Sequence, residues 1–164
     1  MNPELHVLGQ AVKQVQYRQH RALDTALTAV GTTLAQWDAL RAIGRRPGAS
    51  ARELAAATFQ TEQSFGTLAG RLLAQGLIER TPGRGRRLEH RLTPAGDRLL
   101  TTGEQAADQV LAAHFAPLDA ADRATLLRLL RTLAPAPAGG TAPAADTPAP
   151  AGGTAPASGT AENG

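Results

Sequence analysis

The sequence predicts a mainly α-helical fold with one small β-hairpin. Apolar side chains recur at helical spacing through most of residues 1–134, and only residues 77–92 switch to a short alternating pattern around a Gly- and Arg-rich turn. Residues 135–164 are almost entirely Ala, Pro, Gly and Thr, without the large apolar side chains that a core requires. We therefore predict one domain, residues 1–134, followed by a disordered tail, residues 135–164.

Long helices are predicted at both ends of the domain. Asn2 and Pro3 suit the cap and first position of a helix within residues 1–31, and Thr93 and Pro94 suit the start of another. The region 94–134 is interrupted at Pro117 and ends in a leucine-rich helix. Both regions carry more apolar residues than a small domain needs for its own core. They are therefore predicted to be dimerisation helices.

Three short helices are predicted between them. Thr33 with Gln36, and Ser50 with Glu53, have the spacing of capping boxes, and Thr61 can cap the third helix. Gly44 is predicted to end the first of the three. Two short strands, 77–80 and 88–92, follow with a turn rich in Gly and Arg between them. Three short helices followed by a basic hairpin make a winged helix-turn-helix, here over residues 33–93.

The third short helix is the candidate recognition helix. Its apolar residues share one face, which leaves polar and small residues to face outward or to flank that face: Thr61, Gln63, Ser64, Thr67, Gly70 and Arg71. Gln can pair with adenine and Arg with guanine in a major groove of double-stranded DNA. The two glycines, Gly66 and Gly70, each cost about 1 kcal/mol in a helix. Either close approach to DNA or close helix packing would explain them.

The hairpin turn is the most basic part of the chain. Arg84, Arg86 and Arg87 are predicted to contact phosphates or the minor groove. The alternative is a solvated, Arg-rich loop without a partner. Its position directly after a helix-turn-helix favours DNA.

Composition excludes several classes of protein. Residues 1–134 hold 17 basic and 12 acidic residues, a net charge of +5, and the chain has no cysteine. A thiolate metal site and a thiol redox sensor are therefore excluded. The four histidines lack metal-ligand spacing, and no phosphate-binding loop or nucleophile motif occurs. We expect no enzyme activity, no metal, no cofactor, no membrane segment and no secretion signal, hence a cytoplasmic protein.

An ordered set of motifs resembles the MarR (multiple-antibiotic-resistance regulator) family. It consists of Gln36-Trp37 with Leu40, Glu53-Leu54-Ala55, Gly76-Leu77-Ile78 with Arg80, and Leu92-Thr93-Pro94 with Gly96. The resemblance implies an obligate homodimer built by the terminal helices, a regulator of transcription, most often a repressor, that reads a palindromic site. The family's wing commonly carries Asp-x-Arg. This chain has Arg84 at the Asp position and Arg86 at the Arg position.

The resemblance also implies a small-molecule effector, often aromatic and anionic. Tyr17, His20 and Arg21 share a face of the first helix at i, i+3 and i+4, and together with Trp37 they are the candidate ligand-binding residues. Trp37 has the competing interpretation of a core residue, and the other three that of a polar subunit seam. A winged-helix module that binds protein without specific DNA contact is the alternative function.

Overall fold

The computed structural model describes residues 2–85 and 87–134, so Arg86 and the predicted tail lie outside the described residues. The described part contains six helices and one two-stranded antiparallel sheet. The elements are α1 (Pro3–Ala29), α2 (Leu34–Arg45), α3 (Ala51–Ala57), α4 (Glu62–Ala74), β1 (Ile78–Pro82), β2 (Leu88–Leu92), α5 (Pro94–Phe115) and α6 (Ala120–Leu133). This order confirms the predicted mainly α fold with a β-hairpin wing.

The helices begin where the capping residues predict. The Asn2 side chain accepts a hydrogen bond from the backbone N–H of Glu4 at 3.1 Å. Thr33 and Gln36 form a reciprocal capping box, with both of its hydrogen bonds at 3.2 Å. Ser50 and Glu53 form the second. These contacts satisfy backbone N–H groups that have no partner within their helix.

The predicted end of α2 is wrong by one residue and that of β1 by two. Gly44 does not end α2, which continues to Arg45. A Cβ at Gly44 would lie 3.1 Å from Leu100 Cδ2 and 3.2 Å from Leu92 Cδ1, so packing against α5 and β2 explains the glycine. β1 extends to Pro82 because all five of its residues pair with β2, from Ile78 opposite Leu92 to Pro82 opposite Leu88.

One hydrophobic core lies inside the helix-turn-helix. It joins α2, α3, α4 and β1 through large side chains that are fully or almost fully buried: Leu40, Ile43, Leu54, Phe65, Leu72 and Ile78. Burying a side chain of this size stabilises a fold by roughly 1.5–3 kcal/mol. This core therefore fixes the orientation of α4.

A second core connects α1, α2 and α5. Its members are Leu23, Leu27, Leu34, Trp37 and Ala107. Trp37 is only 4% exposed, and a Cβ at Gly103 would overlap its indole ring. Gly103 therefore allows α5 to approach α2 closely enough to cover Trp37.

The turn between α3 and α4 contains an unusual residue. Phe59 has φ of +54°, a region that L residues other than Asn, Asp and His seldom occupy, and its side chain is 94% exposed. A large apolar side chain is expected to be buried, and an aromatic residue rarely has a positive φ, so both properties of Phe59 are unexpected. Phe59 follows the C-cap of α3, and the next residue, Gln60, donates its backbone N–H to the Ala55 carbonyl oxygen at 2.9 Å, so the left-handed residue ends the helix.

Large apolar side chains are exposed on both terminal helices. On α1 these are Leu5, Val7, Leu8, Val12 and Val15, which are between 47% and 68% exposed. The described residues divide into two compact units, one ending at Asp119 and the other beginning at Ala120, so α6 is considered by itself. Its exposed leucines are Leu127, Leu129, Leu130 and Leu133. No helix among the described residues has the length and hydropathy needed to cross a membrane.

Replacement of Gly103 by Ala tests the contact between α5 and Trp37. Because the added methyl group would overlap the indole, Gly103→Ala is expected to lower the free energy of unfolding by about 1–3 kcal/mol. Gly70→Ala is the matched control, since a Cβ there meets no atom within 4 Å, and it is expected to stabilise by about 0.5–1 kcal/mol. Urea unfolding monitored by circular dichroism measures both; equal effects would contradict the packing.

Candidate nucleic-acid interface

The core sets which side of α4 faces outward. Phe65, Ala69 and Leu72, at i, i+4 and i+7, are fully buried. Thr61 caps the helix by accepting a hydrogen bond from Ser64 N at 3.1 Å. The opposite side of α4 is therefore presented to solvent.

The residues proposed for base recognition are all exposed. They are Thr61, Gln63, Ser64, Thr67, Gly70 and Arg71. All but Gly70 line a shallow groove of about 550 Å³, together with Ala35, Gln60 and Leu68. The groove presents amide, hydroxyl and guanidinium groups, which are the donors and acceptors that read base edges.

The two glycines of α4 are open rather than packed. A Cβ built at Gly66 or Gly70 would meet no atom of the described residues within 4 Å. Close packing between helices therefore does not account for them. Of the two explanations that the sequence allowed, the geometry favours the other one, in which an external molecule approaches the backbone of α4 closely.

The wing places its arginines in different surroundings. Arg84 is exposed at the tip, next to Gly85, whose φ of +69° makes the turn. Arg87 instead reaches back to the start of α3, where its Nη2 lies 2.7 Å from Glu53 Oε2 and 3.2 Å from the Gly48 carbonyl oxygen. Sequence spacing gave no signal for this pair, because its members are 34 residues apart.

The base of the wing is built around a buried histidine. His90 is 1% exposed, and its ring meets the Phe65 ring edge to face at a centroid distance of 6.1 Å. Its Nδ1 lies 3.1 Å from the Ala49 carbonyl oxygen, and its Nε2 accepts a hydrogen bond from Arg80 Nε at 3.1 Å. A neutral ring with the proton on Nδ1 satisfies both contacts. Burial, reinforced by the Arg80 charge, lowers the pKa of His90, although the contact with Ala49 opposes this shift.

A second site lies between α1, α2 and α5. It is a cleft of about 270 Å³ lined by His20 and Trp37, two of the four candidate ligand-binding residues, and also by Asp38, Arg41 and Leu111. The Arg41 guanidinium lies over the Trp37 ring, 4.9 Å from its centroid. Burial raises the pKa of Asp38, and the nearby Arg41 partly offsets the shift. Sequence reasoning missed Arg41, although its spacing of four from Trp37 places both on one face of α2.

Tyr17 and Arg21 do not line this cleft. They pair with each other on the exposed side of α1, with Arg21 Nη1 donating to the Tyr17 hydroxyl at 3.3 Å. The lining positions of α1 are Gln16, Gln19, His20 and Leu23. Because each residue advances about 100° around the helix, His20 belongs to this face, whereas Tyr17 and Arg21 lie to one side of it.

This architecture defines a winged-helix DNA-binding protein: a helix-turn-helix has an open, polar third helix, and a hairpin with an arginine at its tip follows it. Known proteins that resemble this chain belong to the same class. The sequence profile described as "MarR family" matches residues 30–87. No curated protein matches the chain.

Solved structures extend the match over the rest of the described chain. A probable transcriptional regulator from Pseudomonas aeruginosa is 30% identical, with a TM-score of 0.69 over 76% of this chain and 95% of that one. A Mycobacterium tuberculosis MarR family protein bound to p-aminosalicylic acid is 28% identical, with a TM-score of 0.64 over 77% and 97%. That MarR family protein in complex with DNA is 27% identical, with a TM-score of 0.65 over the same shares.

The chain belongs to the MarR family of winged-helix, DNA-binding transcription regulators. It is a regulator and not an enzyme, as the sequence predicted. Among the described residues, no three His, Cys, Asp or Glu side chains are grouped to hold a metal ion.

The surroundings of His90 predict how stability changes with pH. Because its pKa is lowered in the folded state from an ordinary value near 6.5, the neutral ring contributes stability above that value. That stability is lost as the pH falls through the lowered pKa. The melting temperature should therefore drop as the pH is lowered from neutral to below about 6.5.

His90→Val supplies the comparison, since valine suits a strand and cannot titrate. The variant is expected to melt lower than the natural protein at neutral pH but to depend less on pH. The other three histidines are present in both proteins, so only the difference between the two profiles is interpreted. Parallel profiles would show that His90 does not couple folding to pH.

Proposed function

We propose that this protein is a cytoplasmic homodimer that binds a palindromic DNA site, represses transcription there and is released by a small aromatic anion. The observation that carries the proposal is the open polar face of α4, with its groove and its two unpacked glycines. Dimerisation would place two such faces against one DNA site, and binding of an effector would move them away from it.

The terminal helices supply the argument for a dimer. The exposed leucines and valines of α1 and the exposed leucines of α6 would cost free energy in water, at about 25 cal/mol per Å² of apolar surface. A second copy that covers these residues removes the cost. Two-fold symmetry then presents two α4 helices, and helix-turn-helix dimers read half-sites about 34 Å apart. A palindromic site follows from that symmetry.

Base recognition is assigned to the outward face of α4. Gln63 and Arg71 have the side chains that form paired hydrogen bonds with adenine and guanine, while Thr67 and Ser64 suit a methyl group or a phosphate. The open positions Gly66 and Gly70 would let the helix approach the bases closely. The DNA complex of the Mycobacterium tuberculosis relative supports this use of the fold.

The wing is assigned to the DNA backbone. Arg84 is exposed at the tip, and sequence adjacency adds Arg86 to the same contact. A guanidinium there can bind phosphates or enter a narrow minor groove. Such contacts strengthen binding to every sequence and weaken with salt.

The effector site is assigned to the cleft between α1, α2 and α5. Arg41 can bind a carboxylate, and the Trp37 ring and Leu111 can contact an aromatic ring. The relative with p-aminosalicylic acid bound shows that a member of this family takes such a molecule. A ligand wedged between these helices would change the spacing of the two DNA-binding lobes, so a repressor would leave its site.

The decisive experiment is fluorescence anisotropy with a duplex from upstream of the gene and a random duplex, over a salt series. The sample is first shown to be dimeric by sedimentation. We expect tight binding with a clear preference for the upstream duplex. Binding to neither duplex by a dimeric sample would favour the protein-interaction module instead.

Arg84→Ala separates backbone contact from base recognition. The variant is expected to bind both duplexes more weakly, and the salt dependence should fall by about one ion per subunit because one phosphate contact is lost. Gln63→Ala is the contrasting variant. It should reduce the preference between duplexes by about 1–3 kcal/mol and leave the salt slope unchanged. Identical behaviour of the two variants would contradict the division of roles.

Arg41→Gln tests the cleft. If Arg41 binds the carboxylate, p-aminosalicylic acid should release DNA from the variant only at a concentration about tenfold higher or more, since a charged hydrogen bond contributes roughly 1.5–3 kcal/mol. Arg21→Gln is the control, because Arg21 lies outside the cleft. Normal release from Arg41→Gln together with impaired release from Arg21→Gln would move the site to the exposed side of α1. Melting curves confirm that both variants are folded.

A further inference from the structure

We infer that Arg87 and Glu53 form a clamp that positions the wing against the helix-turn-helix, so that Arg87 serves DNA binding without touching DNA. The inference rests on the proposed DNA-binding function. It assigns Arg87 a role different from that of Arg84, although both belong to the same basic turn.

The geometry of the pair is specific. Arg87 Nη2 lies 2.7 Å from Glu53 Oε2 and also donates to the Gly48 carbonyl oxygen at 3.2 Å. One guanidinium nitrogen therefore holds both the start of α3 and the loop before it. The donor is drawn toward the protein, whereas a phosphate contact would require it to face outward.

Glu53 is itself held in place. The same Oε2 atom accepts hydrogen bonds from Ser50 N and Ser50 Oγ, both at 2.7 Å, as part of the capping box of α3. These bonds from Ser50, with a smaller contribution from Arg87, lower the pKa of Glu53, so the carboxylate is charged at neutral pH. The clamp is thus anchored on a fixed element and not on a free side chain.

The backbone around Arg87 carries this anchor into the wing. The Arg87 carbonyl oxygen accepts a hydrogen bond from Gly83 N at 2.8 Å, which closes the turn. Three residues further along, His90 exchanges backbone bonds with the 48–49 loop, at 2.9 Å to Gly48 N and 3.1 Å to the Ala49 oxygen. Arg87 extends this attachment from the base of β2 toward the tip, where Arg84 lies.

The chain contains a matched control pair. Arg91 and Glu89 also form an ion pair, at 3.4 Å, and the two arginines are similarly exposed, 48% for Arg91 against 44% for Arg87. Both members of this second pair belong to β2; their side chains also lie next to Gly48, but the hydrogen bond that joins them stays within the strand, whereas Arg87 bonds to α3 and to the Gly48 carbonyl oxygen. Removal of a carboxylate charge should therefore change DNA binding in the same way for both pairs if only charge matters. If Arg87 and Glu53 form a clamp, removal of Glu53 alone should weaken binding.

The test asks whether DNA affinity rises or falls when a carboxylate is replaced by an amide. Loss of a negative charge near DNA strengthens binding by electrostatics alone, so Glu89→Gln should bind DNA as well as the natural protein or better. Glu53→Gln should bind two- to fivefold more weakly, the range that an exposed pair can supply. Glutamine retains the capping function at this position, so α3 remains folded. Tighter binding by Glu53→Gln would overturn the clamp.

Arg87→Gln distinguishes positioning from direct contact. The clamp predicts weaker binding with an unchanged salt slope, and no further loss when Arg87→Gln is combined with Glu53→Gln. A slope reduced by about one ion per subunit, as expected for Arg84→Ala, would show that Arg87 binds a phosphate and would overturn the inference. Failure of the unmodified protein to bind any duplex would instead reject the proposed function. Fluorescence anisotropy over a salt series with the full chain measures all of these.

Discussion

The burial of Phe65 is the contact on which the DNA-binding lobe depends. Its ring is fully buried in the core formed by α2, α3, α4 and β1, and one edge meets the buried His90 of the wing. A single side chain therefore fixes both the rotation of α4 and the position of β2. Because α4 turns as a rigid helix, burying Phe65, Ala69 and Leu72 on one side necessarily presents Gln63, Thr67 and Arg71 on the other.

The second core couples that lobe to the terminal helices. Trp37 belongs to α2, and so to the helix-turn-helix, but its ring packs among α1 and α5 residues and lies against Gly103. The cleft with Arg41 opens on the same ring. A molecule bound there would act on the point where two cores share one helix. Communication between an effector and α4 then needs no long pathway, because α2 carries residues of both cores.

The sequence predicted the elements well and the long-range contacts poorly. Capping boxes, a change from helical to alternating spacing and the Gly-Arg turn are local signals, and they located each helix and strand. The pairing of Arg87 with Glu53 and the insertion of His90 between Arg80 and Ala49 join residues distant in sequence, for which a single sequence carries no spacing rule. Spacing alone grouped Tyr17 and Arg21 with His20, but the rotation of α1 against its neighbours decides which of them line the cleft, and only His20 does.

The arginines of the wing show why a count of basic residues overstates the number of guanidiniums that are available to bind an external anion. Arg80 donates to His90 at the wing base, Arg87 binds Glu53, and Arg91 binds Glu89. Each of these guanidiniums makes a protein contact that a phosphate contact would have to break or share. Arg84, exposed at the turn, faces no such competition from a carboxylate within 4 Å among the described residues. Among the described arginines of the wing, three therefore make protein contacts and Arg84 stays exposed, so the surroundings of each guanidinium decide which one is available to an external anion.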